Sequence, residues 1–315
     1  MRALFLNLKE FFYIMLERRL SSVIDRYYEN TYDDAVEMKK AIYVESFFSL
    51  IRENKKEAVE QVLKTQPEAL YSVSNLRQTA LHIACQYDRQ EILAVLLSKM
   101  PKDINAKKRF IDFRDTEGFT ALMVCADNSR TECAKMLMSH QPDLKVVGYD
   151  LKRNVAHLAA QKNSDEILRM VLSVKNEKGE PVLNVDEASR DKTARGFTPA
   201  HFAASNFAHK SICVLKEFGA DINVQADGKT PLMIAFQSGS RAVASYLLAQ
   251  PDIDLTIRDK RGYLSFHYAH AFRASKKERQ QIKVMTERQF QMKNPKFVSK
   301  HRSDILAPEN THEKE

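Results

Sequence analysis

Nine histidines and four cysteines are the residues of this 315-residue chain best suited to metal or nucleophilic chemistry. His82 and Cys85 stand one helical turn apart, a separation that two zinc ligands can use. No paired-cysteine spacing joins them to complete a ligand set, and the chain has no P-loop, GxSxG elbow or HExxH pair. Acidic pairs such as Asp33/Asp34 have no partner constellation. The sequence therefore predicts a protein that is not an enzyme and has no metal, cofactor or small-molecule substrate. The histidines carry a different message. His82, His157, His201 and His267 occupy the same place in a recurring segment.

That segment is clearest at 195–223, RGFTPAHFAASNFAHKSICVLKEFGADIN. Gly196 supplies a turn, and Thr198-Pro199 pairs an N-cap hydroxyl with proline at the first helical position. A short alanine-rich helix follows, then a second helix with Ile212, Val214 and Leu215 on its apolar side, stopped by Gly219. Two helices this short need stacked copies to bury their faces. Copies aligned on Thr198 begin at Thr79, Thr120, Asn154, Thr230 and Leu264, at intervals of 41, 34, 44, 32 and 34 residues.

These intervals and the T-P-L-H-x-A box resemble the ankyrin repeat family, whose period is about 33 residues. The resemblance covers about residues 44–273. It implies an all-α solenoid of six to seven helix–turn–helix repeats, with the shared histidine hydrogen-bonding within and between turns. Departures are Asn154 for Thr, Leu-Ser-Phe-His in the last copy, and Asp88, Ser129 and Phe207 in place of the inter-helix glycine. The long intervals predict insertions at 101–112 and 174–196 on the finger side.

The resemblance also implies a concave binding face built from the turns and first helices, and hence a protein–protein scaffold or adaptor. Its exposed positions in this chain would include Tyr87, Glu117, Phe119, Asp127, Asn128, Arg153, Lys162, Arg195, Phe197, Asn206, Lys229 and Tyr263. Tyr87, Phe119, Phe197 and Tyr263 are the expected anchors, acting in binding and not in folding, because aromatics dominate hot spots. Arg153 and Arg195 come next. Ankyrin repeats are also similar to substrates of an asparaginyl hydroxylase that favours Asp-(Val/Ile)-Asn with a leucine eight positions earlier. Asn105 and Asn223 match, each as a finger-turn residue, with Asn105 the more mobile beside its insertion.

The net charge of +8 is not spread evenly. Residues 273–302 carry ten Lys and Arg against two Glu, while 1–272 hold only +3 and 303–315 hold −3. The repeat body is close to neutral, so the basic balance is a property of one segment. Three regions are expected: a helical extension over 1–43, the repeats over 44–273, and a basic helix with an acidic tail over 274–315. The basic segment 273–302 is expected as a solvated helix capping the last repeat, with an acidic protein or anionic lipid as its alternative contacts. A membrane-surface or nucleic-acid role for this segment or for the amphipathic N-terminal stretch is the alternative function. Cysteine usage fits reduced, buried thiols in a cytoplasmic monomer. A variant of this expectation is an effector delivered into a host cell, since the irregular spacing and polar, acidic tail resemble proteins exported by type IV secretion.

Overall fold

A computed structural model describes residues 43–150, 152–190, 196–269 and 275–293. The expected N-terminal helical extension, Arg195 and the tail beyond 293 lie outside the described residues. Helix α1 runs over 43–52 and buries Phe47, Phe48 and Ile51. Asn54, in the left-handed region, turns the chain into α2 (Lys56–Thr65). This first unit has the helix pair of a repeat without its Thr-x-x-His box.

The pairs that follow are α3 (Ala80–Gln86) with α4 (Gln90–Ser98), α6 (Ala121–Asn128) with α7 (Thr131–Met138), and α8 (Val155–Gln161) with α9 (Asp165–Leu172). Next come α10 (Pro199–Ser205) with α11 (His209–Glu217), and α12 (Pro231–Ser238) with α13 (Arg241–Leu248). A single turn, α14 (Ser265–Tyr268), begins the last copy, and α15 (Lys276–Lys293) closes the stack. Among the described residues the only β pairing is isolated bridges in the fingers, such as Val73 with Thr79 and Arg258 with Leu264.

Small residues set the spacing of the first helices. The first helices meet their neighbours through alanines and Cys85 and Cys125, all buried. Consecutive first helices therefore pack more extensively than consecutive second helices, which are spaced by Leu, Ile and Val. A stack closer on one side bends toward it. Cys133 completes a buried cluster with Cys85 and Cys125, and burial with these neighbouring thiols pushes the Cys85 pKa well up.

Each helix pair turns through one left-handed residue: Asp88, Ser129, Asn163, Phe207 or Gly239. The residue after it donates its N–H to a first-helix carbonyl five positions back, as from Arg89 to Ala84 at 2.8 Å and from Ala208 to Ala203 at 2.9 Å. This is the Schellman closure of a helix C-terminus.

The two insertions differ. Residues 101–112, expected as an insertion with Asn105 in a finger turn, instead contain helix α5 (Ile104–Ile111). Asp103 caps it by accepting from Ala106 N–H at 2.7 Å, and Phe110 and Ile111 anchor it in the core. The described part of the second insertion forms an ordered turn at 176–180. Asn176 Oδ1 accepts from Lys178 and Glu180 N–H at 2.9 and 3.0 Å, and Leu183 is buried.

Candidate functional site

The recurring histidine is a strut. In three repeats Nδ1 faces the N–H of the helix-capping residue: Thr79 to His82 at 3.2 Å, Asn154 to His157 at 3.3 Å, and Thr198 to His201 at 3.3 Å. In the two threonine-capped repeats the hydroxyl also lies against Nδ1, at 2.8 and 2.9 Å, so Nδ1 is the acceptor and the ring proton sits on Nε2. That proton is donated across the stack. His82 reaches the carbonyl of Phe119 at 3.0 Å, His157 that of Glu187 at 2.9 Å, and His201 that of Lys229 at 3.0 Å. Asn154 keeps the helix cap, since its Oδ1 accepts from Ala156 and His157 N–H, but that oxygen, 2.7 Å from His157 Nδ1, has no proton to donate as the Thr hydroxyl does. Leu264 has no such side-chain oxygen, and its N–H faces His267 Nδ1 at 2.9 Å. Burial lowers the pKa of all three struts, to about 4 for His157 and His201. Among the described residues no group of three or more His, Cys, Asp or Glu converges to hold a metal ion.

The expected binding positions fall into three environments. Tyr87, Glu117, Lys162 and Asn206 are exposed. Asp127 is half-buried and pairs with Lys162 of the next repeat at 3.3 Å, a surface contact of little energetic weight. Arg153 and Lys229 lie flat on the first helices. Arg153 donates to Gln161 at 3.0 Å and covers the Phe202 ring at 4.3 Å, and Lys229 donates to Gln237 at 2.7 Å. Asn128 spends its amide on the Val124 carbonyl, and Tyr263 leans on His267 with ring centroids 5.4 Å apart.

Two expected anchors are packing residues. Phe119 is 7% exposed, against the expectation of an exposed anchor. Its ring fills the space over Gly148, where an added Cβ would come within 2.8 Å of it. Phe197 is half-buried, stacked on His201 at 5.2 Å and edge-on to Phe202 at 5.5 Å.

Phe207 is what the choice of anchors omitted. It holds φ 61° in the turn between α10 and α11, a conformation that costs a bulky side chain on the order of 1 kcal/mol. Its ring is 60% exposed and makes no ring contact with any described residue. The sequence signal was its departure from glycine. Asn206 beside it is exposed, so the pair ends α10 on an open edge.

The modification candidates also separate. Asn105 is a helical residue of α5, not a finger turn, because Asp103 starts that helix. Asn223 does close a finger. Its Nδ2 donates to the Asp252 carbonyl and its Oδ1 accepts from Asp254 N–H, both at 2.7 Å, so access to it requires the finger to open. A separate cleft of about 560 Å³ lies between residues 145–147 and the second insertion, lined by Lys145, Val147, Leu172, Pro181, Leu183 and Phe218.

The profile of the ankyrin repeats matches the chain in three copies, at residues 47–148, 108–182 and 156–259. The chain belongs to the ankyrin repeat family. It is 38% identical over 92 residues to Rabankyrin-5 of Homo sapiens, covering 29% of this chain and 8% of that protein. It is 24% identical over 194 residues to the nuclear factor NF-kappa-B p105 subunit of Gallus gallus, covering 62% of this chain and 18% of that protein. The chain thus spans less than a fifth of either relative. Among solved structures, the ankyrin repeat domain of Bcl-3 superposes with a TM-score of 0.57 at 19% identity, covering 75% of this chain and 96% of that one. The human ASB11 ankyrin repeat domain gives 0.58 at 18% identity, with 76% and 96% covered. At these identities the likeness shows the fold. Ankyrin repeats are protein–protein interaction modules, and no feature described here shows catalysis.

Proposed function

We propose that this chain is a non-enzymatic, cytoplasmic scaffold or adaptor, monomeric in itself, that binds another protein on the first-helix side and its turn edge. The observation that carries the reading is Phe207. A large aromatic is held left-handed and exposed where sister repeats use Gly, Asp, Asn or Ser, at a cost in stability that the fold does not recover. Aromatic side chains at low entropic cost are what recognition surfaces favour. Tyr87, 41% exposed at the end of α3, offers a second aromatic on the same type of edge. Lys162 and Asn206 supply polar contacts around them. Four free cysteines fit a reducing compartment.

Affinity capture with the full chain, beside a Tyr87→Ala, Phe207→Gly double variant, tests this. Both substitutions lie outside the core, so the variant folds. The proposal expects a defined protein retained by the parent chain and lost from the variant. Equal recovery on both would refute the assigned surface.

A further inference from the structure

Helix α15 caps the last repeat with one side only. Ile282 and Thr286 are buried, and Gln289 donates to the Ile253 carbonyl while accepting from Leu255 N–H, at 2.8 and 2.7 Å. Charges on or near this side are neutralised by the repeats. Lys293 pairs with Asp254 at 2.5 Å and Glu278 with Arg241 at 3.3 Å.

Another side of the helix is left open. Lys277, Gln281, Met285, Arg288 and Met292 recur at helical spacing, and all five are exposed, with exposed Lys276 beside them. Lys276, Lys277 and Arg288 have no ion-pair partner among the described residues. Met285 and Met292, 37% and 76% exposed, put flexible apolar side chains between the cations. The stripe belongs to the 273–302 segment, which carries +8, while the 272 residues before it carry +3.

We propose that this stripe docks the end of the solenoid on an anionic phospholipid bilayer, with the cations at the phosphate level and the methionines entering the headgroup–acyl boundary. Positive charge concentrated on one exposed helix stripe is complementary to an anionic leaflet. Apolar side chains interleaved with cations suit a helix lying in the interface plane. A nucleic acid fits less well, because the stripe presents no aromatic platform; Phe290 is half-buried beneath Arg258, whose guanidinium lies 5.9 Å from the ring centroid. A protein partner fits less well too, since interface cores are depleted of lysine.

Co-sedimentation of the full chain with phosphatidylcholine vesicles, with and without phosphatidylserine, tests the proposal. The chain should sediment only with the serine-headgroup vesicles. Each cation near such a surface contributes roughly fivefold, so Lys276→Glu, Lys277→Glu, Arg288→Glu together should weaken partitioning by about a hundredfold or more. Met285→Ser with Met292→Ser should weaken it less and leave its salt dependence intact. All five positions are exposed, and an unchanged thermal transition confirms that the variants fold. Absence of lipid-dependent sedimentation, or an unchanged partition of the charge variant, overturns the proposal. So does binding to polyglutamate or duplex DNA without binding to the vesicles.

Discussion

His201 Nε2 lies 3.0 Å from the carbonyl oxygen of Lys229, and this contact ties the first helix of one repeat to the finger of the next. Nδ1 of the same ring already faces the Thr198 N–H, so the imidazole works only when neutral. A second ring proton would point at that N–H. His82 and His157 repeat the arrangement, and burial is the first cause of the lowered pKa in each.

Stability should therefore fall in mild acid. His157 and His201 have folded pKa values of about 4, below the ordinary 6.5, so between those values the unfolded chain binds more protons than the folded one. Their contribution is complete above about pH 6.5 and is lost as pH drops toward 4, at roughly 3 kcal/mol for each histidine. Carboxylates with lowered pKa, such as Glu217 and Asp252, act below this window, and Asp112 and Asp186, raised by burial, act with the opposite sign. Urea denaturation across this range checks it. A flat profile would contradict the strut role.

Phe119→Ala should destabilise the chain by about 3 kcal/mol, the scale of an emptied aromatic core site. Partner binding should be unaffected once the variant is measured below its transition. A loss under about 1 kcal/mol would return Phe119 to the surface.

Gln289→Ala should lower stability by about 1–2 kcal/mol, because the buried Leu255 keeps its N–H but loses the acceptor. Removal of all residues beyond 268 should cost more, since it also uncovers the surface beneath Ile282 and Thr286. Calorimetry of both proteins decides. Unchanged transitions would make α15 a solvated appendage.

The repeat frame was legible because its signals are local and recur in phase. Thr198-Pro199 starts a helix, alanine permits close approach, and His201 finds the same partners in each stack. Phe119 was not legible. It shares its place before the cap with Arg153 and Lys229, and only Gly148, 29 positions on, leaves room for the ring to turn inward. Asn105 and Asn223 share one local motif, Asp-Ile-Asn. In one, Asp103 accepts from Ala106 N–H and begins a helix; in the other, Asp221 accepts from Asn223 N–H and closes a turn. Helix-favouring Ala-Lys-Lys-Arg after Asn105 against Val-Gln-Ala-Asp-Gly after Asn223 accounts for the divergence. Met285 is exposed on the basic helix, because Thr286 and Gln289 take the inner side.

The binding account rests most directly on Phe207, and one substitution measures it. Phe207→Gly removes the exposed ring and relieves the left-handed strain, so it should raise the unfolding free energy by up to about 1 kcal/mol. The same variant, titrated against the captured partner, should bind at least about tenfold more weakly, a loss of roughly 1.4 kcal/mol. Stability gained with affinity lost is the predicted result. Stability lost with affinity unchanged would show that Phe207 serves the fold, and would contradict the account.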